Sequence, residues 1–207
     1  MCGRCVIFTF DEVLGIIQGI ELGSAFNFDP DWPLRETQAF PNSAAPLIVA
    51  RFDTAIGVPE LRSGSLAARE MGWGFEESWK PGVVFNTRIE SAMKPTWRDS
   101  MEHRRCVIPV ASFYETHRDE TFASPKTGKP VKRQYEFRVP GQDAILIGCI
   151  WKGGRFSMVT TEANSDMTPI HHRMPLVLRQ EELPLWLGPD YRELADRSSI
   201  KLEAERA

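Results

Sequence analysis

The chain has 207 residues, a formal net charge of −3 and a sequence pI near 5.9. At roughly 100–200 residues per domain, this length favours one domain spanning residues 1–207, and the acidic balance argues against a strongly basic nucleic-acid binder. No apolar run reaches the roughly 18 residues of a membrane span and no signal peptide is recognisable, which predicts a cytoplasmic protein without a membrane partner.

The first half of the chain predicts short strands separated by one helix and a long loop. Residues 5–8 predict a buried strand, and Thr9 or Asp11 is placed to cap a helix that runs to about Gly19. Residues 21–45 show no periodicity and predict an ordered loop. Strands are predicted at 47–50 and 66–75, and a helix is predicted to begin at residue 86 and run to 93.

The second half predicts a group of strands followed by terminal helices. Two strands, 106–110 and 112–116, are predicted with a break at 109–111, and the polar, lysine-rich residues 118–133 predict a hairpin loop. Strands at 134–139, 144–151 and 156–161 are separated by short turns, which favours antiparallel pairing. Helices are predicted at 181–187 and 191–195, and a frayed tail from about residue 196. The predicted fold class is α+β, with a mainly antiparallel, barrel-like β core and peripheral helices.

The four cysteines do not predict a disulfide framework or a metal site. A cytosolic chain of this size rarely carries structural disulfides. The Cys2-x-x-Cys5 spacing lacks the second close pair of a zinc site, since Cys106 and Cys149 stand alone within apolar runs. Those two are predicted to be small buried hydrophobic residues, and neither a metal nor another cofactor is predicted.

The cysteine at position two is the most informative residue for chemistry. Removal of Met1 would leave Cys2 with an α-amine of pKa roughly 7.7–8.0 beside a thiol of pKa about 8.5. Such a 1,2-aminothiol condenses with an aldehyde to an imine, and the thiolate then closes a thiazolidine ring on the same carbon. The alternative is that Cys2 is incidental in a disordered terminus.

Three further clusters contain residue types suited to catalysis or anion binding. They are residues 86–91, residues 112–115 and residues 160–175. Glu115 either points outward from its strand or is buried with a raised pKa suited to proton transfer. His171 is either a structural histidine or a proton donor. Arg88 and Arg173 are either surface charges or ligands for phosphate.

Taken together, the four clusters resemble the SRAP (SOS response-associated peptidase) family. The resemblance covers about the first 190 residues in the same order. The motifs that carry it lie at residues 1–4, 40–46, 73–75, 86–90, 105–109, 113–115 and 160–175. It implies the SRAP fold and a suicidal enzyme that engages an abasic site in single-stranded DNA and bonds covalently to its aldehyde.

The resemblance also assigns roles to individual residues. Cys2 would supply the amine and the thiol, and Asn86 would orient the N-terminal residue or the sugar. Glu115 would shuttle protons, and His171 would protonate the sugar oxygen as the ring opens. Weak abasic-site lyase activity and self-catalysed removal of Met1 are implied as well. The implied partner is single-stranded DNA with abasic sites, bound by a monomer that associates with the nucleoid.

A second group of residues is implied to contact the DNA. Arg4, Arg88 and Arg173 would bind backbone phosphates, and Trp73 or Trp79 would stack on a base. Pro46 and Thr160 complete this set.

Two other classes of function stay open on the sequence. An N-terminal-nucleophile amidohydrolase also begins Cys-Gly after methionine, but the chain lacks the downstream Asn-Gly oxyanion segment that such an enzyme needs. A non-covalent module that binds damaged or modified DNA would leave Cys2 and Glu115 without a role.

Overall fold

The computed structural model describes residues 2–24, 37–51 and 64–207, and these form fourteen strands and three α-helices. The strands are β1 (Arg4–Ile7), β2 (Thr37–Ala39), β3 (Ala44–Ala50), β4 (Leu66–Trp73), β5 (Phe75–Glu76), β6 (Val83–Val84), β7 (Asn86–Arg88), β8 (Arg105–Ala123), β9 (Pro130–Arg138), β10 (Ile145–Lys152), β11 (Arg155–Glu162), β12 (Arg173–Pro175), β13 (Val177–Leu178) and β14 (Glu203–Arg206). The helices are α1 (Phe10–Glu21), α2 (Pro95–His103) and α3 (Leu183–Leu187), with 3-10 helices at Ile89–Ser91, Gln180–Glu182 and Tyr191–Ala195.

Twelve of these strands form one sheet that closes on itself as a ring. The ring runs β8–β10–β11–β4–β3, and β3 pairs back onto β8. Most pairs are antiparallel, whereas β11 pairs in parallel with β4 and β7. Strands β5 and β6 form a separate hairpin. The predicted α+β class with a mainly antiparallel, barrel-like core is confirmed.

Both faces of the ring are buried, which explains its continuous apolar strands. Along β8, Cys106 and Ile108 belong to the core inside the ring, together with Trp73 and Phe156. The intervening Val107 belongs to a second core, where α1 and α3 pack against the outer face. The helices therefore cover the ring from outside and leave its inner face to side chains of the strands.

Helix α1 begins where the sequence predicts. Thr9 is its N-cap and accepts a hydrogen bond from the Glu12 backbone N–H at 3.3 Å, while the Glu12 carboxylate accepts one from the Thr9 N–H at 2.5 Å. This reciprocal capping box satisfies two of the orphan donors at the helix start. Its buried face includes Val13, Ile16 and Ile17, as the helical spacing predicts.

The predicted break in the middle of β8 is wrong. A single strand runs from residue 105 to 123, and Pro109 pairs with Leu146 of β10 inside it. On the other side of β8, pairing with β3 ends at Val107 and pairing with β1 begins at Val110. Pro109 therefore lies where the neighbouring strand changes, a place that tolerates a residue without an N–H.

The prediction of a helix from residue 86 is also wrong at its start. Asn86–Arg88 is strand β7, paired in parallel with residues 158–160 of β11, and only Ile89–Ser91 is helical, as a 3-10 turn. Helix α2 was not predicted. The predicted loop at 21–45 gives way to β2 and β3 from residue 37 onward, and its residues 25–36 lie outside the described residues.

The hairpin and the C-terminus are more regular than predicted. Strands β8 and β9 continue to residues 123 and 130, so the turn is limited to 124–129. The predicted frayed tail is wrong, because β14 pairs antiparallel with β9, from Glu203 opposite Arg138 to Arg206 opposite Tyr135. The terminal helices at 181–187 and 191–195 are confirmed as α3 with its preceding 3-10 turn and a second 3-10 helix.

Candidate functional site

The N-terminal strand positions Cys2 at one end of the ring. Strand β1 is held between β2 and β8, with Arg4 opposite Tyr114 and Cys5 opposite Phe113. Cys2, two residues before this strand, is only 1% exposed, and its carbonyl oxygen accepts a hydrogen bond from the Asn86 side-chain amide at 2.8 Å. The backbone of Cys2 is thereby fixed from two sides of the fold.

Glu115 lies beside Cys2 because it follows Tyr114 on β8, and Tyr114 pairs with Arg4 of β1. Its side chain is 2% exposed, and Oε1 accepts the Thr116 N–H at 3.1 Å. Burial raises the pKa of this carboxyl above its ordinary value. Burial, together with the charge of Glu115, raises the pKa of the Cys2 thiol to about 12. The pair therefore favours protonated forms and is suited to exchange a proton.

Asn86 owes its position to the short strand β7. Parallel pairing with β11 sets Asn86 opposite Met158, and the neighbouring Thr87 hydroxyl lies 2.9 Å from the Ser157 hydroxyl in the interior. Two residues from Asn86 on the same strand, Arg88 is exposed. Strand β7 thus holds one polar group against Cys2 and one cation at the surface.

His171 lies on the segment between β11 and β12. Its Nδ1 is 3.0 Å from the backbone N–H of Arg173 and 3.1 Å from the Arg173 carbonyl oxygen, which fixes the ring orientation. The ring stacks on His172 at 4.4 Å between centroids. Burial lowers the pKa of His171 to about 4, and the charge of Arg118 adds to the effect. The imidazole is therefore neutral near pH 7 in the unliganded protein.

An open cleft of 300 Å³ connects Glu115 and His171. Its lining consists of Glu115, Thr116, His117, Arg118, Lys132 and His171. Cys2 is buried outside this lining, close enough to Glu115 for the carboxylate charge to raise the pKa of its thiol. The structure thus brings together the four predicted catalytic residues, whose roles remain predictions.

The cleft also contains residues that the sequence did not single out. Arg118 and Lys132 lie in the segment predicted to be a hairpin loop, where the abundance of lysine was the only signal. Pairing between β8 and β9 shifts register between residues 116 and 121, and the extra residues bulge toward the cleft. The Arg118 N–H donates to the Ile170 carbonyl at 3.2 Å, which ties the bulge to the His171 segment.

Three uncharged residues predicted to contact DNA are buried. Trp73 is fully buried, donates through Nε1 to the Phe85 carbonyl at 3.0 Å and stacks on Phe156, so its ring faces the core, and its stacking on a base stays a prediction. Thr160 is 1% exposed and Pro46 is buried within β3. Their side chains have no surface to offer DNA. Trp79, in contrast, is 60% exposed and available for stacking.

The three predicted phosphate-binding arginines lie in different environments. Arg173 is buried and makes a bidentate ion pair with Glu90 at 2.7 and 2.8 Å, and its assignment to phosphate stays a prediction. The guanidinium of Arg4 lies 3.8 Å from the Tyr114 ring centroid and donates to two glutamine side chains. Arg88 is exposed and makes no hydrogen bond or ion pair within the described residues. Of these three arginines, Arg88 is the exposed one, and its binding of a phosphate stays a prediction.

The described residues contain no group of three or more His, Cys, Asp or Glu that could hold a metal ion. All four cysteines are buried free thiols, and Cys106 lies opposite Cys149 on paired strands. Among the helices in the described ranges, none is long and apolar enough to cross a membrane.

Comparisons with known proteins place the chain in a family. It matches the SOS response associated peptidase (SRAP) family over residues 1–206. The abasic site processing protein YoqW of Bacillus subtilis is 28% identical over 208 residues, spanning 91% of this chain and 81% of YoqW. YoaM of the same species, also named an abasic site processing protein, is 27% identical over 204 residues, spanning 91% and 80%.

Two solved structures have the same fold. A protein from Bacteroides thetaiotaomicron gives a TM-score of 0.66 at 18% identity, covering 99% of this chain and 91% of the other. A phage-related protein from Bordetella bronchiseptica gives 0.65 at 18% identity, covering 100% and 94%. Since the family match spans the whole described fold and includes every candidate catalytic residue, this chain belongs to the SRAP family.

Proposed function

We propose that this protein processes abasic sites in DNA by forming a covalent thiazolidine link through Cys2 after Met1 has been removed. The observation that carries the proposal is the fixed position of Cys2: Asn86 holds its backbone while its thiol lies beside the Glu115 carboxylate. The relatives YoqW and YoaM, both named abasic site processing proteins, support the choice of substrate.

The proposed reaction joins both groups of Cys2 to C1′ of the ring-opened deoxyribose. The amine nitrogen attacks the aldehyde carbon, and the hydroxyl of the resulting carbinolamine leaves as water to give an imine. The sulfur then attacks the same carbon, and the thiol proton ends on the ring nitrogen. Aldehyde plus aminothiol therefore yields thiazolidine plus one water.

Glu115 is the proposed proton carrier for both steps. A thiol with a pKa of about 12 is a poor nucleophile until a base removes its proton. The neighbouring carboxylate takes that proton during attack, and its raised pKa also lets the acid form donate to the departing hydroxyl. One side chain thus serves as base and acid within one reaction.

His171 is the proposed donor to the sugar ring oxygen, since it lies across the cleft from this pair. An Nδ1 that accepts the Arg173 N–H leaves the ring proton on Nε2. Ring opening moves a proton onto the ring oxygen while the C1′ hydroxyl gives one up. The same Cys2 amine would support weak β-elimination, and removal of Met1 by hydrolysis would be self-catalysed.

The deciding experiment incubates the protein with a uracil-containing single strand that a uracil glycosylase has converted to an abasic strand. A denaturing gel should show a shifted species with wild-type protein and none with Cys2→Ala. Intact mass should show loss of Met1, and the crosslinked peptide should begin at Cys2. A linked peptide that retains Met1, or attachment at Cys5, would exclude the mechanism.

The same gel tests the two other classes of function. A non-covalent binder of damaged DNA would retard the strand on a native gel and leave the denaturing gel unshifted. An N-terminal-nucleophile amidohydrolase would release ammonia from amide substrates and leave the DNA unaltered on both gels.

A further inference from the structure

The β8–β9 hairpin carries a local excess of positive charge on an acidic protein. Residues 116–133 contain five lysines or arginines and two acidic residues, in a chain whose net charge is −3. The excess borders the cleft that contains Glu115 and His171. Anion binding at this border is therefore compatible with the acidic pI.

The acidic and basic residues of this hairpin are unequally partnered. Glu120 accepts a hydrogen bond from the Tyr135 hydroxyl at 2.5 Å and lies 3.7 Å from Arg133 and 3.4 Å from Arg206. Arg206 of strand β14 is thus a second cation beside Glu120. Asp119 is exposed and lies outside the cleft lining. Because Arg133 and Arg206 pair with Glu120, this carboxylate does not compensate the other basic residues of the hairpin.

Arg118 and Lys132 are the two basic residues that line the cleft, and both are exposed. In the ranges that the structure describes, neither forms an ion pair with a carboxylate. The Lys132 ammonium donates to the Arg118 carbonyl oxygen, which draws the two residues together across the register shift. Two cations that line one cleft supply several N–H donors for the oxygens of a phosphate group.

The position of this pair selects the ligand. Arg118 is tied to the segment that carries His171 by its N–H bond to the Ile170 carbonyl. A cleft of 300 Å³ lies at the small end of the roughly 300–1,000 Å³ range of ligand pockets, which suits one sugar-phosphate unit. Every deoxyribose in a DNA strand is flanked by phosphates.

We propose that Arg118 and Lys132 bind the backbone phosphate next to the abasic sugar and so set the path of the strand along the β8–β9 hairpin. This inference rests on the proposed function. Unlike Arg173, which is paired with Glu90, both residues line the cleft at the register shift between β8 and β9.

The test measures the affinity of the protein for a fluorescent single strand containing a tetrahydrofuran abasic analogue, which cannot form the covalent link, at several salt concentrations. Arg118→Gln and Lys132→Gln should each weaken binding and reduce the magnitude of the salt slope by about 0.7. Arg118→Lys should restore most of the slope. Lys126→Gln, the same charge change in the turn of the same hairpin, is the matched control and should match wild type.

Crosslinking to a natural abasic strand supplies the second readout. Arg118→Gln should lower the efficiency of crosslinking mainly by raising the DNA concentration that half-saturates the rate. Salt slopes equal to wild type in both Gln variants, or an equal loss in Lys126→Gln, would overturn the site. A wild-type protein that binds the analogue but never crosslinks would instead contradict the proposed covalent function and leave the phosphate site standing. A wild-type protein that does not bind the strand would refute both.

Discussion

Glu115 and Cys2 show how burial prepares single residues for chemistry. Each is at most 2% exposed, and burial raises the pKa of both groups. An exposed carboxyl would be fully ionised near pH 7 and a poor acid, whereas a buried one can both take and return a proton. The sequence indicated the residue types, while burial shifts the pKa of both groups toward the protonated form.

Glu115→Gln should slow crosslinking by a factor on the order of 10²–10⁴, because the amide cannot take the thiol proton. Wild-type rates should fall more steeply than variant rates as pH falls through the carboxyl pKa, which lies above 4.5, because protonation of the Cys2 amine slows both proteins alike. Single-turnover crosslinking across pH measures both effects. Affinity for the tetrahydrofuran-containing strand should stay near wild type, and a wild-type rate in the variant would contradict the assignment.

His171 should remain neutral down to about pH 4, well below its ordinary value of 6.5. The unfolded chain takes up a proton near pH 6.5, so the stability contributed by the neutral ring is complete above that pH. It is lost as pH falls from 6.5 toward 4. NMR titration of the ring should give the low pKa directly.

The matched measurement for His171 is the free energy of unfolding at two pH values within that window, in wild type and His171→Gln. The variant should lose less stability on acidification. Equal losses, together with a ring pKa near 6.5, would show that the side chain is solvated as an ordinary surface histidine.

At the scale of elements, Arg105 joins two helix ends to the sheet. Its guanidinium lies at the start of β8 and donates to the carbonyls of Met101 and Glu102 at the end of α2. It also donates to the carbonyls of three residues at the end of α3, namely Trp186, Leu187 and Gly188. Helix C-termini leave their last carbonyls unsatisfied, so one cation completes both ends.

Arg105→Lys should lower the free energy of unfolding by about 2–4 kcal/mol. An ammonium has three donors in place of five, and each buried carbonyl that loses a charged donor costs roughly 1–3 kcal/mol. Urea unfolding measures the change. Arg98→Lys, on the exposed face of α2, is the control and should change stability by less than about 0.5 kcal/mol. A similar small effect at both positions would refute this account of Arg105.

The whole molecule combines an acidic balance with a proposed DNA ligand, so its DNA affinity must depend on few contacts. Arg88 is exposed close to Asn86, and Arg4 lies near the N-terminus. Arg118 and Lys132 border the cleft. Two to four phosphate contacts on single-stranded DNA would give a salt slope of about −1.5 to −3. That slope is shallower than for a strongly basic binder.

Arg88→Ala should reduce the magnitude of the salt slope by about 0.7, one contact's share, and weaken binding at every salt concentration. Lys201→Ala, at an exposed position near the C-terminus, should leave the slope unchanged. Fluorescence anisotropy at four or more salt concentrations resolves the difference. Affinity and slope identical to wild type in Arg88→Ala would remove this residue from the DNA-binding surface.

Features encoded within a few neighbouring residues could be predicted from the sequence. The capping box of Thr9 and Glu12 and the apolar spacing of α1 depend on neighbours three or four positions away, and the helix forms as predicted. Most strands follow from short apolar runs in the same way. Cys2, Asn86, Glu115 and His171 were likewise chosen by residue type and motif. The fold sets Glu115 and His171 in one cleft and holds Asn86 against the Cys2 carbonyl.

Features that join distant parts of the chain depend on the folded arrangement and could not be predicted. The strand conformation of Asn86 depends on pairing with Met158, and the order of the tail depends on the edge that β9 offers to β14. Ion pairing of Arg173 with Glu90 and burial of Trp73 likewise involve partners far apart in sequence. No local sequence pattern encodes such contacts, because the residue type of one partner does not identify the other partner. These contacts stabilise the fold only when the ring of strands closes and removes both partners from water.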